Sequence, residues 1–183
     1  MQYVSQSILK KIYRKRGEWV HKGMFGKLFV IAGSEHHMGS PIFNGLAALR
    51  AGCDWAFIAA PEKVALNAVR YAPDFTLFPL SGNKIEERHV KEVLDAIKQV
   101  KPHAVVMGCG LGREQETKKA VRRLAQEIGL PMVVDADGIR AVAGYSECVQ
   151  GKECVLTPHA NEFLDLSGKK VENNVEDRVE KVK

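Results

Sequence analysis

Three short clusters in this chain combine residue types suited to phosphate and proton chemistry. Gly108-Cys109-Gly110-Leu111-Gly112 is a loop whose backbone N–H groups can approach an anion, because glycine puts no Cβ in the way. Asp135-Ala136-Asp137 offers two carboxylates that share one face if a strand continues through them. Such a pair can position a hydroxyl or hold Mg²⁺ through water. Thr157-Pro158-His159-Ala160-Asn161-Glu162 sets an imidazole and a carboxylate three residues apart, both over the first turn of a helix starting at Pro158. There Glu162 can order metal-bound water near phosphates, and His159 can hydrogen-bond a substrate. A fourth cluster, Gly33-Ser34 with Met38-Gly39-Ser40-Pro41, marks a strand end and a helix start, where unpaired N–H groups favour anions.

Each cluster also has a plain structural reading. The glycine loop can be a simple turn, since it is neither the dinucleotide fingerprint nor a P-loop ending in Gly-Lys-Ser/Thr. Ser40 can be an N-cap, Asp135 or Asp137 can cap a helix starting near Gly138, and Thr157 can cap the helix that follows it. What favours chemistry is position, because each cluster lies where an apolar run gives way to small and polar residues. In an open α/β sheet those points are the carboxyl ends of strands, where ligands bind.

The elements that carry the clusters alternate. Leu28 to Ala32 reads as a buried strand closed by Gly33, and residues 41–51 as a helix with Pro41 in its first turn and Gly52 at its end. Asp54 to Ala60 is a second strand, Glu62 to about Tyr71 a helix, and Phe75 to Phe78 a short third strand. Val90, Val93, Leu94 and Ile97 form a helical stripe within residues 86–99, and Val121, Leu124, Ala125 and Ile128 form another. Ala104–Met107, Met132–Val134 and Cys154–Leu156 are strands four to six. This rhythm predicts a three-layer α/β/α domain with a mostly parallel sheet. It is read as one unit over 1–183: a basic segment 1–26, an α/β core 27–166 and a C-terminal helix within 167–183. Val171, Val175, Val179 and Val182 fall on one face of that last helix and need a partner surface.

Composition narrows the class. A chain of 183 residues with 45% apolar and 27% charged residues has the balance of a globular protein. It has neither a long apolar run nor a secretory leader, and a cytoplasmic location is expected. Cys53, Cys109, Cys148 and Cys154 show no metal spacing and read as free thiols. The charge is lopsided. Residues 1–27 hold Lys10, Lys11, Arg14, Lys15, Arg16, Lys22 and Lys27 against Glu18 alone, so the segment carries +6 and the rest of the chain −1. A solvated helix face is the simple reading of Lys10 to Arg16, and an arm for an anionic partner is the sharper one. Lys22, just before the first strand, is placed to reach a ligand. Neither a membrane nor nucleic acid is expected as a partner.

The clusters occur together with His21-Lys22-Gly23 and Ala47-Ala48-Leu49-Arg50-Ala51-Gly52. In that order and spacing, from about His21 to Leu166, the chain resembles the ADP/ATP-dependent NAD(P)H-hydrate dehydratases of the ribokinase-like superfamily, the carbohydrate kinase family. The resemblance implies a lyase that repairs hydrated NADH or NADPH. The hydrate hydroxyl is phosphorylated by ADP or ATP with Mg²⁺, and elimination of phosphate restores the double bond. It also implies that Ser40, Gly110 and His159 bind the hydrated dinucleotide, and that Gly39, Gly112 and Asp135 line the same crevice. Asp137 and Glu162 become the catalytic candidates, with Glu162 near the metal through water. A homo-oligomer is the expected assembly state.

The sequence departs from that pattern in four places. Cys109 stands where proline is usual, Gly138 where a small apolar residue is usual, and Asn161 where glycine is common. No Gly-x-Gly-Asp occurs anywhere, although the resemblance assigns to such a loop the anion hole and the aspartate that activates the hydroxyl. The lysine–glycine strand for nucleotide phosphates is missing as well. The expectation is therefore a C-terminally truncated ribokinase-like fold whose catalysis needs a companion chain or further segment. The alternatives are a small-molecule kinase of the same superfamily and a non-catalytic dinucleotide-binding or assembly module. His159, where such kinases often carry asparagine, favours the dehydratase.

Overall fold

The computed structural model describes residues 5–13 and 15–182; Arg14, one of the basic residues read above, lies outside them. Six strands form one sheet: β1 (Lys27–Ile31), β2 (Trp55–Pro61), β3 (Thr76–Leu80), β4 (Ala104–Met107), β5 (Met132–Val134) and β6 (Cys154–Leu156). Their spatial order is β3-β2-β1-β4-β5-β6 and every pairing is parallel. The chain works outward from β1 to β3 and then returns to place β4 on the other side of β1. The sheet therefore has its topological switch point between β1 and β4, and a crevice opens beyond their carboxyl ends.

Alternation along the strands sorts the core into two layers. Phe29, Ile31, Phe57, Val105, Met107 and Val134 face α4 (Val90–Val100), α5 (Gln115–Glu127) and α6 (Asp137–Val142). Val30, Ile58, Ala60 and Val106 face α2 (Ser40–Arg50) and α3 (Glu62–Ala68). Fully buried side chains such as Phe29, Ile31 and Ile58 each contribute about 1.5–3 kcal/mol by leaving water. The second layer is incomplete. In the row Val30–Val106–Val133–Val155 across four strands, Val30 is fully buried and Val155, on the edge strand, is 58% exposed.

The ends of the chain differ from the sequence reading in extent. α1 (Gln6–Ile12) buries none of its residues, so Lys10 and Lys11 do lie on a solvated face. Arg16 does not. It pairs with Asp54 at 3.1 Å, donates to the Gly52 carbonyl at 2.8 Å and covers the Phe25 ring at 4.3 Å. Lys22 stacks over the Trp55 ring at 4.6 Å. Trp55 opens β2, so Lys22 is at the amino ends of the strands, opposite the crevice, and does not line it. After α7 (Ala160–Ser167), Gly168 caps the helix in the left-handed region at φ 71. The chain then runs irregularly until the Asn174 side chain accepts from the Asp177 N–H at 2.8 Å and starts α8 (Val175–Val182). Val175, Val179 and Val182 are exposed there and Val171 is half-buried.

Two results test this packing. A Cβ on Gly108, at φ +127, would run into the Asp135 carbonyl and lie 2.9 Å from the Gly138 backbone, whereas one on Gly129 meets nothing within 4 Å. Gly108→Ala should cost roughly 3 kcal/mol in urea unfolding and Gly129→Ala close to nothing. The second concerns the N-terminal strap. The Phe25 N–H, then the Gly23 N–H and Arg16, hold the Asp54 carboxyl below its ordinary value. A depressed carboxylate contributes stability above its ordinary pKa and loses it as pH falls through the lowered one. Exchange of the Gly23 and Phe25 amide protons, corrected for intrinsic rate, should accelerate on acidification below about pH 4, and in Asp54→Asn that acid step should vanish.

Candidate functional site

All four clusters come to the carboxyl edge of the sheet, and glycine lets their loops touch. Gly33, at φ +87, ends the run after β1, and its N–H donates to the Cys109 carbonyl at 2.9 Å. This bond ties the β1 and β4 loops across the switch point. Gly110, at φ +67, has its open side against Ser40 Oγ and the His37 side chain, so any Cβ there would strike both. Ser40 is the first residue of α2. Gly39 occupies the cap position and no side chain caps this helix, so Ser40 is not the N-cap and its hydroxyl points at the glycine loop. A cleft of about 300 Å³ opens beside these loops, lined by Ser34, His36, His37, Gly112, Arg113 and Asp137 among others.

The two aspartates part company. β5 stops at Val134, and Ala136 takes φ 52, ψ −120, a region strained for a residue with a Cβ. The strand alternation that would have put Asp135 and Asp137 on one face is broken at that residue. Asp135 turns toward β6, accepting from Thr157 Oγ1 at 2.7 Å and from the Cys109 thiol at 3.3 Å. Asp137 turns toward the glycine loop, accepting from the Gly112 N–H at 3.1 Å and from Arg113 Nε at 3.3 Å. Burial, opposed by the hydrogen bond to Asn44 and reinforced by Asp135, pushes the Cys109 thiol up to about 11.

The last cluster is a cap, though not the one the spacing suggests. Thr157 is used by Asp135, and His159 is the N-cap of α7, which starts at Ala160 rather than Pro158. His159 Nδ1 accepts from the N–H groups of Asn161 at 3.1 Å and Glu162 at 3.4 Å. That contact assigns the ring proton to Nε2. Glu162 closes a capping box by accepting the His159 N–H on Oε2 at 3.0 Å. Its Oε1 is 3.0 Å from Arg140 Nη1 and 3.1 Å from His159 Nε2, and the side chain is 4% exposed. Both oxygens of the residue expected to order metal-bound water are thus taken by protein donors. Among the described residues no set of three or more His, Cys, Asp or Glu is arranged to hold a metal ion.

Of the sequence-read residues, Ser40, Gly39 and Gly110 lie together. Gly112 is joined to Asp137, and Asp135 is joined to the β6 loop. His159 and Glu162 form a unit bridged to Asp137 by Arg140, which the sequence reading missed. Arg140 lies 3.9 Å from Asp137 Oδ1 and 3.3 Å from Asp165 Oδ2 as well as on Glu162. Its one sequence signal was the i, i+3 spacing from Asp137. His37 and Arg113 were also missed, since neither belongs to a recognisable pattern. A larger cavity, about 660 Å³, lies elsewhere, between β6, α7 and α8, and is walled by apolar groups such as Phe163, Leu166 and Val171. All four cysteines are free thiols, one buried and three half-buried.

Comparison with known proteins agrees with this architecture. The family model described as NAD(P)H-hydrate dehydratase matches residues 28–183. A bifunctional NAD(P)H-hydrate repair enzyme Nnr of Pyrobaculum aerophilum is 39% identical over 160 residues, 86% of this chain and 31% of that protein. In fold, the chain superposes on a hypothetical protein of Streptococcus mutans with a TM-score of 0.78, at 22% identity, over 98% of this chain and 63% of the other. It superposes on the ADP/ATP-dependent NAD(P)H-hydrate dehydratase of Bacillus subtilis, co-crystallised with ATP/Mg²⁺, with a TM-score of 0.67. That match has 24% identity and covers 90% of this chain and 55% of the other. The chain spans about a third of the length of three curated repair enzymes that it matches. No described helix is long and apolar enough to cross a membrane. With its all-parallel ribokinase-like sheet, its loops in the expected order and a family match over most of its length, this chain belongs to the NAD(P)H-hydrate dehydratase family.

Proposed function

We propose that this chain provides the dinucleotide-binding part of a nucleotide-dependent dehydratase that repairs hydrated NADH and NADPH. The observation that carries the reading is the meeting of the β1 and β4 loops at the switch point, with Ser40 against Gly110 and the β5 and β6 loops joined beside them. In the reaction, the hydroxyl of the hydrated ring gives up its proton and takes a phosphoryl group from ADP or ATP, releasing AMP or ADP. Phosphate then leaves with the C–O bond electrons, a ring proton is lost, and the carbon–carbon double bond returns. Catalysis of this kind rests on positioning and electrostatic stabilisation.

The roles follow from what each group has free. Gly110 and Gly112 let the dinucleotide approach the loop backbone, the Ser40 hydroxyl supplies a hydrogen bond, and His159, its ring nitrogens engaged in the α7 cap, presents the exposed part of its ring. Gly39 leaves the first turn of α2 without a side-chain cap, open to an anionic group. Asp135, Asp137 and Glu162 already accept hydrogen bonds from protein donors, so they hold the loops in place. Cys109, a neutral thiol, is no nucleophile. Mg²⁺ is handled mostly by phosphate oxygens with one or two carboxylates, and among the described residues no carboxylate cluster is arranged to hold it. The ion would belong to the nucleotide. The activating aspartate of the resembled pattern is absent from this sequence. We assign that group and the nucleotide phosphate site to polypeptide beyond these 183 residues, acting in the reducing cytosol where all four thiols stay reduced.

An assembly role has one observation in its favour, the exposed face of Val175, Val179 and Val182, since apolar patches mark interfaces. Light scattering of the purified chain tests it, and a clean monomer would count against it.

Titration with hydrated NADPH, followed by calorimetry, should show binding. His159→Ala should weaken it about tenfold, or about 1.4 kcal/mol. Absence of binding to a folded chain sinks the proposal. With ADP or ATP and Mg²⁺ added, the chain alone should not restore dihydronicotinamide absorbance; restoration would place the activating group inside it. At pH 8 the Cys109 thiol should alkylate on the order of a hundredfold more slowly than an ordinary cysteine of pKa about 8.5.

A further inference from the structure

We propose that Arg140 is the resident counter-ion and positioning residue of the site, a fixed guanidinium that does among these carboxylates what a protein-held metal ion would otherwise do. Three carboxylates from two helices meet on this one side chain. Asp137 comes from the first turn of α6 at 3.9 Å, Glu162 from the first turn of α7 at 3.0 Å and Asp165 from the next turn of α7 at 3.3 Å. The guanidinium is only 17% exposed, and Glu162 and Asp137 only 4% and 13%. The other cation nearby, Arg113, touches Asp137 alone and is 67% exposed. Without Arg140, Glu162 would be a buried carboxylate with no cationic partner among the described residues.

The geometry also links Arg140 to the dinucleotide crevice. Its Nη2 lies 3.5 Å from His159 Nε2, and its Nη1 holds the Glu162 oxygen that also faces Nε2. Glu162 in turn accepts the His159 N–H. The orientation of the imidazole therefore depends on a residue that makes no contact with the glycine loop. A planar guanidinium donates to Glu162 and lies within ion-pair distance of Asp137 and Asp165 at the same time, and an ammonium on a flexible stem does not hold that arrangement as well. This assignment goes beyond the dehydratase reading and stands without it, because nothing in its test requires a dinucleotide.

The test is a double-mutant cycle with two spectroscopic readouts. Arg140→Met and Glu162→Gln should each destabilise the chain. The double variant should be at least tenfold more stable, in folding equilibrium constant, than the sum of the single effects predicts, because removing Glu162's charge removes the orphan left by Arg140→Met. Additive effects would overturn the proposal. If Arg140→Met does not fold, the double variant should, and its failure to fold would overturn it equally. In the wild type, ring nitrogen shifts should show the His159 proton on Nε2, and Arg140→Met or Arg140→Lys should keep that tautomer while shifting and broadening the Asn161 and Glu162 amide signals that report the ring's placement; unchanged amide signals would mean that Arg140 does not position the ring. Millimolar Mn²⁺ should leave the His159–Glu162 amide signals of the wild type sharp. Selective broadening of those signals would show that a metal, and not Arg140, is the working cation there.

Discussion

The site depends on one backbone-to-backbone contact. Gly108 and Gly138 pack so closely that a Cβ on either would lie within 3 Å of the other's backbone. This brings the start of α6 directly under the loop that leaves β4, so Asp137 reaches the Gly112 N–H. It also fixes the axis of α6, whose third turn-mate, Arg140, then reaches α7. Side chains on both glycines would push the β4 and β5 loops apart, and the Asp137 bond and the Arg140 bridge would lengthen together. The two glycines thus govern geometry that runs from Ser40 at one end to His159 at the other.

Charge follows from this packing. The crevice is built almost wholly from groups that are already paired. Asp135 accepts from a hydroxyl and a thiol, Asp137 from a backbone N–H and a guanidinium, and Glu162 from a backbone N–H and Arg140. Buried carboxylates must be satisfied in this way or they become costly. A site saturated with internal partners is preorganised, which suits binding.

Much of this was legible in the residues themselves. β4, β5 and β6 fall at the bounds their apolar runs define, and the switch from apolar to small residues marked the four loops at the carboxyl edge. The local details were not legible, for identifiable reasons. Ala136 adopts a positive φ that its side chain disfavours, and nothing in Asp-Ala-Asp announces that the alternation breaks there. His159 is the cap because its Nδ1 stands in for the oxygen that Thr157 would have offered, and Thr157 is drawn off by Asp135, which is remote in sequence. Arg140 finds Asp165 and Glu162 only through the packing of α6 on α7, a tertiary fact with no local spacing to reveal it. Lys22 was misread because its nearness to the first strand in sequence did not say which end of the sheet it would occupy.

The strand order also bears on how the chain comes to its shape. β1 is made first yet becomes an inner strand, and one of its two edges must wait for β4. Leu28 pairs with Ala104, so roughly 76 residues must be synthesised in between. At about 5–20 residues per second that is on the order of 4 to 15 s. During this interval β1, β2 and β3 can pair, with Leu28 to Ile31 presenting an open, apolar hydrogen-bonding edge that any other strand could occupy. The crevice at the switch point is thus also the place where the nascent chain is longest unprotected. Arrival of β4 closes that edge and, by bringing Gly108 to Gly112 against Gly33 and Ser40, forms the crevice in the same event.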